Sequence, residues 1–242
     1  MNDAQPVKPA NILNIVAINQ GKKPLTLETP HAPPLDARRF SALANRGHVV
    51  VDTRTSAAFG SGHVPGSLNI QLASPQFEQR VGWVTPLDEP LLLVLGDDGD
   101  ADRALHALAF VGLDTRVENF LAGGIEAWIS AGMPLATAPQ ISVGQLQERL
   151  GDGTRILDVR PPAEWESGHI ENAHHLDYRL LPDHVGQLEF GPEEDIAVIC
   201  GAGLASSTAC SVLLRNGFER VSNVTGGISA WSAAGLRLIR DG

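Results

Sequence analysis

Short apolar runs alternate with longer amphipathic ones along most of this chain. Residues 48–51, 91–95, 155–157 and 196–199 are strand-length stretches rich in Val, Ile and Leu. Between and after them lie segments such as 101–111 and 206–216, whose apolar positions recur at helical spacing. A strand that is apolar at every position, rather than at every second one, is expected to be covered on both faces. Strands of that kind alternating with helices predict an α/β architecture with parallel sheets and helical crossovers.

The pattern also repeats. Val50-Val-Asp52-Thr-Arg54 is answered by Ile156-Leu-Asp158-Val-Arg160, and Gly62-His63-Val64 by Gly168-His169-Ile170 at the same interval. Gly123-Gly124-Ile125-x-Ala127-Trp128 recurs as Gly226-Gly227-Ile228-x-Ala230-Trp231, three residues closer, and Gly132 and Gly235 keep that shorter interval. Ordered matches with so small a drift make the chain a duplication. A Pro/Ala/Thr stretch at 134–139 reads as the linker, and the cluster Pro30, Pro33 and Pro34 as an earlier boundary. The expected division is a tail over 1–34, a first domain over 35–136 and a second over 137–242.

Composition narrows the function. With 43% hydrophobic and 19% charged residues, the chain reads as globular, and 242 residues suit two ordinary domains. No apolar run approaches membrane-span length, and the N-terminus lacks the basic start and apolar core of a secretory signal. A cytoplasmic chain without a membrane partner is expected. The net charge of -10 argues against a nucleic-acid partner, which requires clustered Lys and Arg. Two cysteines, Cys200 and Cys210, form no disulfide framework, and no Cys/His cluster has zinc-ligand spacing. Neither a metal nor a cofactor is expected.

Cys200 follows an apolar strand and opens the sequence Cys200-Gly201-Ala202-Gly203-Leu204-Ala205-Ser206-Ser207, after which a helix is predicted. Successive backbone N–H groups in such a turn can converge on the sulfur, and a helix N-terminus adds positive potential. Both favour a nucleophilic thiolate. Gly201 and Gly203 permit the curvature, and Ser206 or Ser207 is the expected N-cap. From the loop alone, Cys200 is either a reactive thiol or an inert core residue; Cys210, inside an apolar helical stretch, is expected in the core. The matching loop of the first repeat, Leu95-Gly96-Asp97-Asp98-Gly99-Asp100-Ala101-Asp102, contains no thiol. Aligning Gly99 with Gly203 places Gly96 opposite Cys200. This acidic loop is expected to be a solvated, helix-capping turn, and the first domain non-catalytic.

The Asp-x-Arg after a strand, the Gly-His-[Val/Ile] and the Gly-Gly-Ile-x-Ala-Trp, in that order and twice over, resemble rhodanese domains across roughly residues 35–240. The resemblance implies two five-stranded parallel sheets flanked by helices. It also implies a sulfurtransferase in which Cys200 takes sulfane sulfur from thiosulfate or a persulfide such as glutathione persulfide. A thiol or other nucleophile then removes it. Gly201, Ala202, Gly203, Leu204, Ala205 and Ser206 would hold the substrate. The paired glycines and the tryptophans are expected to be structural, as are His63 and His169, with Asp158, Arg160 and Glu164 in a buried polar cluster. Ala58 stands where the second repeat has Glu164.

This loop departs from the pattern Cys-x-x-Gly-x-Arg common in the family, because Ala205 occupies the arginine position. That puts thiosulfate in doubt and favours a persulfide donor, unless Arg160 or Arg179 substitutes. A phosphatase of related fold needs arginine six residues after the cysteine, where this chain has Ser206, and the loop lacks the third glycine of a dinucleotide fingerprint. Residues 11–21 (Asn-Ile-Leu-Asn-Ile-Val-Ala-Ile-Asn-Gln-Gly) resemble the end of a metallo-β-lactamase-fold domain in fusions of a persulfide dioxygenase with rhodanese repeats. A dioxygenase of that kind is therefore a candidate partner. Read without the resemblance, the segment is an apolar helix packed on the first domain, and His174-His175-x-Asp177 is a polar loop. The alternative function is a catalytically weak tandem module that binds or regulates a persulfide-oxidising enzyme.

Overall fold

The computed structural model describes Lys8, residues 11–22 and residues 30–240. In the first repeat the strands are β1 (Pro34–Leu35), β2 (Val49–Asp52), β3 (Leu68–Asn69), β4 (Leu91–Val94) and β5 (Val117–Leu121). The helices are α1 (Ile12–Asn19), α2 (Ala37–Ala44), α3 (Ser56–Ser61), α4 (Phe77–Val84), α5 (Ala101–Ala109) and α6 (Gly124–Ser130). In the second repeat the strands are β6 (Gln140–Ile141), β7 (Arg155–Asp158), β8 (His174–His175), β9 (Ile196–Ile199) and β10 (Val221–Val224). They are joined by α7 (Val143–Arg149), α8 (Pro162–Glu166), α9 (Leu181–His184), α10 (Leu204–Arg215) and α11 (Gly227–Ala233).

Each repeat forms a five-stranded sheet in the same order, β1-β5-β4-β2-β3 and β6-β10-β9-β7-β8. The pairings of β1 with β5, β2 with β4 and β9 with β7 and β10 are all parallel, and the sheets are flanked by helices. The predicted α/β fold is the observed one. Every residue of β2, β4 and β9 is buried, as expected of strands covered on both sides. The short edge strands β3 and β8 limit the unpaired backbone on offer. His174 and His175, expected in a polar loop, instead form β8, pairing with Leu157 and Asp158 of β7. Polarity concealed a strand because an edge residue is only half-buried.

The repetition extends to local chemistry. Asp36 caps α2 by accepting the Arg38 and Arg39 N–H groups, and Ser142 with Gln145 forms a reciprocal capping box on α7. A cap of this type stabilises a helix by about 1 kcal/mol. His63 makes a two-way backbone bridge with Ala136, and His169 makes the same bridge with Ile239. The chain passes between two compact units after Arg54, Gln71 and Pro134, so that Thr55–Gln71 belongs with the unit that holds the second sheet. In that unit Ile141, Leu146, Ile156, Ile199, Ile228 and Trp231 are among the side chains of one continuous core. Helix α1 lies in the other unit, where the buried Asn11 donates its side-chain amide to the Val111 carbonyl. No helix among the described residues is long and apolar enough to cross a membrane.

Candidate active site

The buried strand β9 ends at Ile199, and Cys200 is the next residue, itself only 4% exposed. Residues 201–203 bend directly into α10, whose N-cap is Gly203 at a φ of 96°, a left-handed conformation that favours glycine. The Gly203 N–H donates to Cys200 Sγ at 3.1 Å, and the Ser206 hydroxyl donates to the same sulfur at 3.3 Å. Two donors aimed at one sulfur are placed to stabilise negative charge on Cys200 Sγ. Leu204, Ala205 and Ser206 form the first turn of α10, Gly201 and Ala202 the approach to it. The sequence placed the cap on Ser206 or Ser207, and this is corrected: the helix starts earlier, and neither serine caps it. Ser206 serves the sulfur, and Ser207 donates to Asn69 Oδ1 within the same compact unit.

The paired glycines explain how the loop keeps its shape. Gly226 and Gly227 both have positive φ, at 75° and 55°. They bring the start of α11 so close that the Ile228 and Ser229 N–H groups donate to the Cys200 and Gly201 carbonyls at 2.8 and 3.0 Å. A β-carbon on Gly227 would overlap the Cys200 carbonyl oxygen and sit 2.7 Å from the Gly201 carbonyl carbon. With those carbonyls tied to α11, the Gly203 N–H is left to face the sulfur.

The Asp-x-Arg motif is structural in both repeats. Arg160, 4% exposed, chelates Asp158 through Nε and Nη2 at 2.9 and 2.6 Å and donates to the Glu164 and Gly168 carbonyls. Four of its five N–H groups are used within this frame, which ties the guanidinium to Asp158 rather than to the thiol loop. Arg179 is chelated by Asp177, and that hydrogen bond, before lesser effects that include Glu164, holds its guanidinium above the ordinary value. Glu164 differs from expectation. Only its backbone carbonyl joins the buried cluster, while its carboxylate lies beside the loop, 3.6 Å from where a β-carbon on Gly201 would sit. His169 stacks on Trp165 with ring centres 3.6 Å apart, and His175 stacks on the same indole. His63 stacks on Phe59 in the same way. These histidines are packing elements.

In the first repeat, Leu95 follows β4 as Cys200 follows β9, because Asp52 pairs with Val94 as Asp158 pairs with Ile199. The same correspondence appears at the close approach, where a β-carbon on Gly124 would lie 3.0 Å from the Leu95 carbonyl oxygen. Leu95 is therefore the counterpart of Cys200, one residue from the Gly96 expected by aligning glycines. The two loops differ in length, and strand register fixes the correspondence where loop glycines do not. The acidic turn is a capping structure: Asp97 accepts from the Gly99 N–H at 2.7 Å and Asp98 from the Gly123 N–H. Among the described residues no group of three or more His, Cys, Asp or Glu side chains is arranged to hold a metal ion.

A model of the rhodanese-like domain matches residues 36–131 and again 142–234. The chain belongs to the rhodanese family. Over 102 residues it is 35% identical to a sulfurtransferase of Allochromatium vinosum, a match covering 41% of this chain and 94% of that protein. It is also 35% identical over 81 residues to the thiosulfate sulfurtransferase GlpE of Vibrio cholerae, across 34% of this chain and 74% of that one. Among solved structures, a rhodanese-related protein of Thermoplasma volcanium is similar at 29% identity and a TM-score of 0.40, covering 43% of this chain and 99% of that chain. The tandem rhodanese thus has one loop with a thiol and one with leucine in its place. Sequence reasoning missed Asn223, which is buried under the thiol loop and donates to the Gly203 carbonyl at 3.3 Å. The signal was present: counted back from the paired glycines, Asn223 stands where the first repeat has Phe120.

Proposed function

We propose that the second rhodanese domain is a sulfurtransferase that carries sulfane sulfur on Cys200. The observation that carries this reading is the pair of donors, Gly203 N–H and Ser206 Oγ–H, directed at one cysteine sulfur. In the first step the Cys200 thiolate attacks the outer sulfur of the donor. The donor S–S bond breaks, and its electron pair leaves with glutathione thiolate or, from thiosulfate, with sulfite. In the second step an acceptor thiolate attacks the outer sulfur of the Cys200 persulfide and releases Cys200 as thiolate, so no external oxidant or reductant is needed.

A persulfide is the favoured donor. Ala205 holds the position of the family arginine, Arg160 is bound to Asp158 and to the Glu164 and Gly168 carbonyls, and the Glu164 carboxylate stands beside Gly201. A charge-assisted hydrogen bond contributes about 1.5–3 kcal/mol, so thiosulfate is expected to bind ten- to a hundredfold more weakly than with arginine present. Two free cysteines suit the reducing, cytoplasmic setting that belongs to the same reading. The test is to treat the reduced protein and a Cys200→Ser variant with thiosulfate and, separately, with glutathione persulfide. An adduct of one sulfur atom by intact mass, in the parent and not in the variant, is the expected result. No adduct from either donor sinks the reading in favour of a binding module.

The partner proposed with this activity is a persulfide dioxygenase of the metallo-β-lactamase fold, on the resemblance carried by residues 11–21. Helix α1 provides the segment, seated on the first unit through Asn11. Absence of any association between the purified chain and such a dioxygenase in a pull-down rejects that partner.

A further inference from the structure

The two repeats differ at one buried position that touches the thiol loop. In the first sheet Phe120 of β5 faces Pro34 of β1, and in the second Asn223 of β10 faces Gln140 of β6 in the same register. An apolar pair has been replaced by two amides. Asn223 is fully buried, and its Nδ2 donates both to Gln140 Oε1 at 2.8 Å and to the Gly203 carbonyl at 3.3 Å. Because a carbonyl only accepts, the atom facing Gly203 is the nitrogen; Gln140 is fixed likewise by donating from Nε2 to the Ala138 carbonyl at 3.0 Å. The Asn223 Oδ1 is left buried without a hydrogen-bond partner. An amide with an orphaned oxygen is a costly replacement for a hydrophobe at a position where the sister sheet accepts one.

Gly203 is the residue through which such a cost can act. Its N–H reaches Cys200 Sγ, its φ is 96°, and its carbonyl is the one held by Asn223. A β-carbon on Gly203 would lie 3.3 Å from the Gly226 nitrogen, so the close packing of β10 and the glycine turn limits other ways of fixing it. The Gly203–Leu204 peptide is rigid and trans. Holding its carbonyl toward β10 therefore fixes ψ of Gly203 and turns the Leu204 N–H away from that strand.

Resting on the reading of Cys200 as the sulfur carrier, we infer that Asn223 is a positioning residue. Held by Gln140, it locks the left-handed Gly203 so that the loop presents its N–H to the sulfur during transfer. Asn223 does not itself touch the substrate. The apolar counterpart Phe120 belongs with Leu95, where there is no sulfur to serve.

The test uses Asn223→Leu, which keeps the branching at Cγ and removes the donor, and Asn223→Asp. Single-turnover persulfide formation from glutathione persulfide is measured against donor concentration. The leucine variant is expected to lower the limiting rate about tenfold, the worth of one hydrogen bond, with the half-saturating concentration unchanged. The aspartic acid donates to the Gly203 carbonyl only while protonated, and the atoms facing it, Gln140 Oε1 and Gly203 O, are uncharged acceptors. Its limiting rate relative to the parent should therefore fall as pH rises. A folded leucine variant with the parental limiting rate overturns the inference. If the leucine variant does not fold, an aspartate variant whose rate ratio is independent of pH overturns it instead. Hydrogen exchange at the Gly203 amide, expected to quicken about tenfold in the leucine variant while β9 keeps its protection, separates the two readings. Should the parent itself take up no sulfur, sulfur transfer fails, and exchange still decides whether Asn223 holds the loop.

Discussion

Glu164 places a carboxylate beside a loop that has no arginine, and an anionic donor that approaches Cys200 on this side meets that charge. For two charges about 4 Å apart and fully screened by water the repulsion is about 1 kcal/mol, roughly fivefold in rate. Glu164→Gln is therefore expected to raise kcat/KM for thiosulfate about fivefold; an unchanged value would mean that the donor avoids this side of the loop. The second cysteine behaves differently. Burial, with charge on Cys200 adding to it, pushes the Cys210 thiol well above its ordinary value of 9.0. A group raised in the folded state contributes stability that is complete below its unfolded value and is lost as pH rises beyond it. Urea melts compared with Cys210→Ala should show the parent losing ground only above about pH 9. Alkylation of the native protein near neutral pH should spare Cys210 until the chain unfolds. The sequence disclosed the thiol and its glycines because local spacing carries them. Asn223 and the Glu164 carboxylate escaped because each acts on residues tens of positions away, through β10 and α8.

At the scale of elements, α11 rather than α10 sets the loop carbonyls, and the glycine pair makes that approach possible. Gly227→Ala carries a double penalty. Its positive φ alone costs about 1–3 kcal/mol for a residue with a β-carbon, and the added carbon collides with the backbone of Cys200 and Gly201. At Gly124 the same substitution meets only the Leu95 carbonyl, at 3.0 Å. Gly227→Ala should thus abolish sulfur uptake and lower the melting temperature more than Gly124→Ala, which should leave uptake intact; equal losses of uptake would refute the division of labour. The sheets themselves were legible, since β4 and β9 are apolar throughout and the repeated motifs fix their order. The counterpart of Cys200 was not, because the loops differ in length and only the register of β2 on β4 and of β7 on β9 reveals Leu95.

For the whole molecule, a net charge of -10 sets the field through which an anionic donor must diffuse. Against it stand short-range dipoles, the Gly203 N–H and the first turn of α10, whose effect fades within a turn. Salt screens the long-range field more than the contact: the Debye length falls from about 30 Å at 0.01 M to about 8 Å at 0.15 M. Added inert salt should therefore speed the reaction of thiosulfate, a dianion, by about two- to threefold over this range, and more in the parent than in Glu164→Gln. The opposite slope, slower transfer with salt, would show that a cation near the thiol loop, with Arg179 the first to replace, draws the donor in. That outcome would move the preference back toward thiosulfate, because a guanidinium freed from Asp177 could do the work of the arginine that Ala205 has displaced.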